Sequence, residues 1–427
     1  MQHGSRTRRP ILPRAEPRHH RLLQRGVTEA SPPGARRVVF ALGTTQTLAW
    51  ASTYYLPAIL AAPMAREFGL STAWVFGAFS AALVLSALAG PAVGRVIDAK
   101  GGRGMLTASN LVLGAGLLGM GLAGDAWTMA AAWLVLGLGM AMGLYDAAFA
   151  TLAGLYGRAA RGPITGITLI AGFASTVGWP LSALLEETVG WRGACFAWAA
   201  LHLLVALPLN RLLVPKAPPP ERQSAVTAPA EIPSTGRMTM PLLAYVFAAS
   251  WFIAGAMAAH LPAMLQAAGA TAAAAVAAGA LIGPAQVAAR VAEFGLLRRF
   301  HPLVSARLAM LGHPLGALAL LLVGGPAAAA AAAAFAVLHG MGNGVMTIAK
   351  GTLPLAVFGP GGYGARQGLL GAPARLLQAA SPFLFGLMLE RGGVQLALSV
   401  TSVLALTGCL ALLLLRAAPA GVAQAGK

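Results

Sequence analysis

The chain has 427 residues, 57% of them hydrophobic and only 10% charged. A soluble domain carries about 25% charged residues, so the composition excludes a water-soluble globular protein and indicates a polytopic membrane protein. The formal net charge of +18 does not indicate nucleic-acid binding, because the basic residues punctuate apolar runs and form no single patch.

In chain order, residues 1–37 carry nine Arg and several Pro and lack the apolar core of a signal peptide; a disordered basic cytoplasmic tail is expected there. A membrane-crossing helix needs roughly 20 apolar residues. Twelve candidate segments follow, at about 38–61, 73–94, 104–124, 127–149, 163–185, 193–214, 239–265, 272–295, 303–324, 326–349, 367–389 and 396–416. Residues 215–238 are polar and rich in Pro, which reads as a cytoplasmic linker between an N-terminal six-helix bundle (38–214) and a C-terminal one (239–416). Residues 417–427 form a short cytoplasmic tail. The fold class expected is an all-α membrane protein of twelve transmembrane helices in two pseudo-symmetric bundles.

The pseudo-symmetry is written in the residues. Leu56-Pro57-Ala58 returns as Leu261-Pro262-Ala263, Gly90-Pro91-Ala92 with Arg95 and Asp98 returns as Gly283-Pro284-Ala285 with Arg290 and Glu293, and Gly139-Met140 with Gly143 returns as Gly340-Met341 with Gly344. A duplicated hydrophobic half is the mark of many secondary transporters, whose substrate site lies between the halves. Loops assigned to one membrane face hold 25 of the 30 Lys and Arg, and those assigned to the other hold three. By the positive-inside rule both termini are cytoplasmic.

The loop between the second and third segments reads Gly94-Arg95-Val96-Ile97-Asp98-Ala99-Lys100-Gly101-Gly102-Arg103. It resembles the signature of the major facilitator superfamily, and topology and repeat extend the resemblance over residues 38–416. Two stretches, Ala73-Trp74-Val75-Phe76-Gly77-Ala78-Phe79-Ser80 and Tyr156-Gly157-Arg158 with Gly178-Trp179-Pro180, resemble the monocarboxylate and oxalate–formate exchanger branch. The resemblance implies a latch at the cytoplasmic ends. Asp98 would favour the N-terminus of a neighbouring helix, the eleventh. Arg95 or Arg103 would pair with Asp146, and Gly94 and Glu293 belong to the same gating set.

All twelve acidic residues fall in tails, loops or helix ends on this reading, with Asp98, Asp146 and Glu293 near cytoplasmic ends. No carboxylate is expected at mid-membrane, which argues against a carrier of cations and against proton coupling through a buried acid. Arg375 lies inside the eleventh segment, and an intramembrane Arg is by default a functional hypothesis. It either clamps a carboxylate with its fork, with Gln378 one turn on, or caps backbone carbonyls. His339 and Asn343 share a polar stripe with Thr347 on the tenth segment. Gln46, Trp50 and Tyr54 share a face of the first that is too polar for lipid. Arg290 either contacts substrate or pairs with Glu293.

The function expected is a secondary active transporter in a bacterial inner membrane. It would move a small organic anion by alternating access, by proton symport or anion exchange, as a monomer. The alternatives are an exporter of neutral or lipophilic compounds and a non-transporting receptor on the same scaffold. No nucleophile–base or metal constellation is visible, so no enzyme, cofactor or metal is expected; the partners are a small-molecule substrate, the lipid bilayer and protons.

Overall fold

The structure is a computed structural model that describes residues 34–216, 237–296, 299–323 and 327–415. Most of the expected N-terminal tail, most of the linker and nearly all of the C-terminal tail lie outside the described residues. Among the described residues the chain is helical and contains no strand.

The first crossing is split. α1 (Ala35–Ser52) and α2 (Pro57–Glu67) are separated by Thr53–Leu56. Pro57 lacks an N–H and has its φ fixed, which suits a helix start. α3 (Thr72–Lys100) is capped by Ser71, whose hydroxyl accepts from the Trp74 amide, and α4 (Gly102–Leu122) returns.

The fourth crossing is also split, into α5 (Ala126–Gly143) and α6 (Tyr145–Tyr156), because Leu144 is extended (φ −80, ψ −172). The fifth comprises α7 (Arg161–Ala171) and the first part of α8 (Ala174–Leu201). α8 turns at Gly190, whose φ of 72 costs a glycine little. Its remainder, a π-turn over His202–Ala206 and α9 (Leu207–Leu213) make the sixth.

The C-terminal half uses longer pieces: α10 (Thr239–Ala267), α11 (Ala272–Gly295), α12 (Pro302–Leu322), α13 (Ala328–Phe358) and α14 (Tyr363–Leu414). α14 turns at Gly393 (φ 64) and supplies the last two crossings. Among the described residues, eight stretches are long and apolar enough to cross a membrane. One of them, Ala126–Leu213, holds three crossings, and Tyr363–Leu414 holds two. With the split first crossing, the expected twelve result.

Each half has its own core. Trp133, Trp198, Leu113 and Leu117 centre the N-terminal one, and Phe247, Phe335 and Phe385 the C-terminal one. Two buried histidines in the spans find side-chain partners, as interiors favour. His202 contacts Ser52 at 2.8 Å and Asn110 at 2.9 Å, tying crossings one, three and six. His313 contacts His339 at 3.2 Å and Thr401 at 3.0 Å, tying nine, ten and twelve.

The face where α3 ends and α14 begins is termed the linker face. There the halves are in close contact along two seams. In the first, α3 meets α14 with glycines on both sides. A Cβ at Gly94 would fall on the Gly364 carbonyl, and one at Gly368 would lie 2.6 Å from the Gly90 carbonyl oxygen. At its end Asp98 accepts from the amides of Gly364 (2.7 Å) and Ala365 (2.8 Å), the first turn of α14. In the second, α7 meets α11 and α13. Arg161 pairs with Glu293 at 2.9 Å and donates to the Phe300 carbonyl.

Candidate functional site

A narrow central cavity lies between the halves. Its wall includes Trp50, Tyr54, Leu83, Ser86, Met140, Leu144, Tyr145 and Asp146 from the N-terminal half. Trp251, Lys350, Arg375 and Gln378 come from the C-terminal half. The breaks in crossings one and four border it, in line with the rule that non-helical backbone at membrane depth lies where it is buried in protein or lines a cavity.

Asp146 is the second residue of α6, so its carboxylate sits at a helix N-terminus, where negative charge is favoured. It is buried and holds two cations: Lys350 Nζ lies 2.9 Å from Oδ1, and Arg375 Nη2 lies 2.6 Å from Oδ2. Gln367 adds a weaker donor at 3.3 Å. The other arm of Arg375 donates to the Ser86 carbonyl (3.1 Å) and hydroxyl (3.0 Å). Lys350 also stands over the Trp251 ring, 5.0 Å from its centroid. Gln378 donates to the Tyr54 hydroxyl at 2.7 Å, a further bond between the halves. Two cations face one acid, so the site carries a formal charge of +1.

The aromatic wall is continuous. Trp50 packs on Tyr145 with centroids 5.1 Å apart and edge-on to Tyr54 at 5.4 Å. The Trp50 indole N–H is buried without a hydrogen-bond partner among the described residues. A second, smaller void lies toward the linker face, bordered by Gly90, Gly94, Gly364 and Gly368. Asp146 borders both voids.

Several expectations are corrected. Asp146 meets neither Arg95 nor Arg103. Arg95 is exposed, the Arg103 Nε has no partner, and Asp146 lies deep in the protein because α6 runs ten residues beyond it. A buried carboxylate is therefore present, against expectation. Lys350, counted among loop charges, is buried eight residues before the end of α13. His339 does not face the cavity; it contacts His313 and stacks on Phe335. Asn343 is likewise absent from the wall. Gln46 is buried and donates to the Gly143 carbonyl at 2.5 Å, satisfying an acceptor freed by the break in the fourth crossing. Arg290 is not paired with Glu293. It donates to the Thr168 carbonyl (3.2 Å) beside the break in the fifth crossing and to Gln286 (3.3 Å). Glu293 takes Arg161 and the Ser305 hydroxyl.

Of the expected substrate residues, Trp50, Tyr54, Arg375 and Gln378 line the cavity together. Sequence reading missed Lys350, Ser86, Tyr145 and the aliphatic residues. The apolar run past Lys350, through Leu353, Leu355 and Phe358, was the signal available for the lysine.

Two six-helix halves around a central polar cavity, closed at one face, define a polytopic membrane carrier. A family model described as Major Facilitator Superfamily matches residues 42–361, about three quarters of the chain, and the chain belongs to that superfamily. The crystal structure of the human organic anion transporter MFSD10 (TETRAN) is similar in fold, with TM-score 0.67 and 17% identity. The match covers 89% of this chain and 100% of that one. Among curated proteins, no sequence matches.

Proposed function

We propose that the protein is a secondary active transporter that moves a small organic anion by alternating access between its halves. The observation that carries this reading is the surplus cation at the cavity, where Lys350 and Arg375 face Asp146 alone. Burying an uncompensated charge is costly, and an entering anion removes that cost. The human protein of similar fold is an organic anion transporter, which is in keeping with this reading.

Asp98 at the α14 N-terminus and Arg161 with Glu293 act as the gate at the linker face. Charge distribution supports a cytoplasmic assignment for that face, with both termini on the cytoplasmic side of a bacterial inner membrane. Coupling is by proton symport or by anion exchange. Asp146 supplies the buried acid a proton route requires, since its protonation would free both cations. The exporter of neutral compounds has the aromatic wall in its favour but leaves the cations without a task.

The test is uptake into proteoliposomes holding the purified monomer, with carboxylates and matched alcohols as substrates. Carboxylate uptake, abolished by Arg375→Ala, is expected. Transport of the alcohols alone would overturn the reading.

A further inference from the structure

We infer that the transported anion is an amphipathic monoanion, a single carboxylate-like head joined to an aromatic ring. This rests on the anion-transport reading and narrows it. The cavity wall is divided by chemistry. The hydrogen-bonding and charged groups, Ser86, Asp146, Lys350, Arg375 and Gln378, gather where α3, α6, α13 and α14 meet. The rest of the N-terminal wall is Trp50, Tyr54 and Tyr145, with the Trp50 ring tilted against that of Tyr145 at 5.1 Å, and Leu83, Met140 and Leu144.

The head and the body of a ligand are therefore read by different groups. The formal charge of +1 at the head is neutralised by one negative charge. A second carboxylate would lie against rings and aliphatic carbons, where no cation lines the wall, and would lose its hydration without compensation. An anion without a body, such as acetate, satisfies the cations but leaves the apolar wall uncovered. A ring covers it, and rings pack edge-to-face or offset against Trp and Tyr at the spacings already present there. The buried Trp50 N–H, without a partner among the described residues, is a donor left over at this end of the cavity, free to meet a π face.

The expected preference follows from burial of an aromatic side chain, which contributes on the order of a 10- to 100-fold gain in affinity. The experiment is calorimetric binding to the full-length purified chain. The probes are phenylacetate, acetate, 1,4-phenylenediacetate and 2-phenylethanol, with proteoliposome uptake of the binders. Phenylacetate should bind at least tenfold more tightly than acetate, and the dianion more weakly than phenylacetate. Trp50→Ala should narrow the phenylacetate–acetate gap, and Trp50→Phe should keep it.

Equal binding of acetate and phenylacetate would overturn the aromatic body while leaving the anion reading intact. Tightest binding by the dianion would overturn the single charge. Equal binding of 2-phenylethanol and phenylacetate would overturn the anion reading itself. The wild-type panel decides these outcomes even where Trp50→Ala does not yield a monodisperse protein.

Discussion

Asp146 and Arg375 stand 229 positions apart, in opposite halves of the chain, and their Oδ2 and Nη2 atoms lie 2.6 Å apart. The acid occupies the cations that an incoming anion would use. Asp146→Asn removes that internal competitor and leaves two buried cations unpaired, a loss that costs about 3–5 kcal/mol in buried pairs. The ligand-free variant should melt well below wild type. A bound carboxylate should raise its melting temperature more than it raises that of wild type, while turnover falls. Thermal unfolding with and without phenylacetate measures this. Equal ligand-free stability of the two proteins would remove Asp146 from the site's charge balance.

Arg375→Lys keeps the charge but loses the fork that reaches Ser86 and Asp146 at once. Anion binding should weaken by roughly 1–3 kcal/mol, the range for hydrogen bonds to charged groups, in a protein that still inserts and stays monodisperse. Wild-type affinity in the lysine variant would argue that the arginine serves backbone carbonyls only.

The seam between α3 and α14 should respond to two changes of different size. Asp98→Asn removes a charge at a helix N-terminus, a contribution of about 0.3–1 kcal/mol. That shifts the closed population at the linker face by roughly two- to fivefold. Gly368→Leu drives a side chain into the Gly90 backbone and should shift it further. Labelling of Ala147→Cys from the linker face, beside the second void, reads both. Unchanged labelling in both variants would mean that the seam does not gate.

At the opposite face, Glu67 accepts from Trp191 Nε1 (2.5 Å) and from Arg192 Nη2 (2.7 Å). The Arg192 hydrogen bond, then that of Trp191, holds the Glu67 carboxyl below its ordinary value. A carboxylate with a depressed folded pKa stabilises the protein above the unfolded value, about 4.3 for Glu. That contribution is lost as pH falls through the lower folded value. The loss is at most about 1 kcal/mol for so exposed a pair. Melting temperature should therefore drop more steeply below pH 4 in wild type than in Glu67→Gln. Parallel pH profiles would show that the pair contributes nothing.

Orientation is open to direct assay. Reporter fusions after Lys216 and Glu390 should report cytoplasmic and external locations respectively, and the reverse pattern would invert the assignment of faces.

The twelve crossings and the duplicated halves were legible in hydropathy and repeat, because lipid imposes a long apolar run on every crossing. Asp98 at the start of α14 was legible because the motif is local. The Asp146–Lys350–Arg375 cluster was not. Hydropathy treats a charge as the end of a run, which put Asp146 and Lys350 at helix ends, whereas α6 and α13 continue to Tyr156 and Phe358. A charge paired across two halves costs far less than an isolated one, and no window along one segment contains its partner. Gln46 failed for a related reason: its partner is a carbonyl freed by a backbone break that the sequence does not announce.

The breaks are unevenly shared. Crossings one, four and five of the N-terminal half are interrupted at Thr53–Leu56, Leu144 and Gly172–Phe173, while their repeat counterparts seven, ten and eleven run unbroken within α10, α13 and α14. Duplication at the level of residues thus does not carry over to elasticity. The N-terminal bundle holds the compliant joints, two of them bordering the central cavity at Tyr54 and Leu144, and the C-terminal bundle is the stiff member against which they bend. Amide hydrogen exchange should be fastest at those three joints and quenched there first when an anion binds.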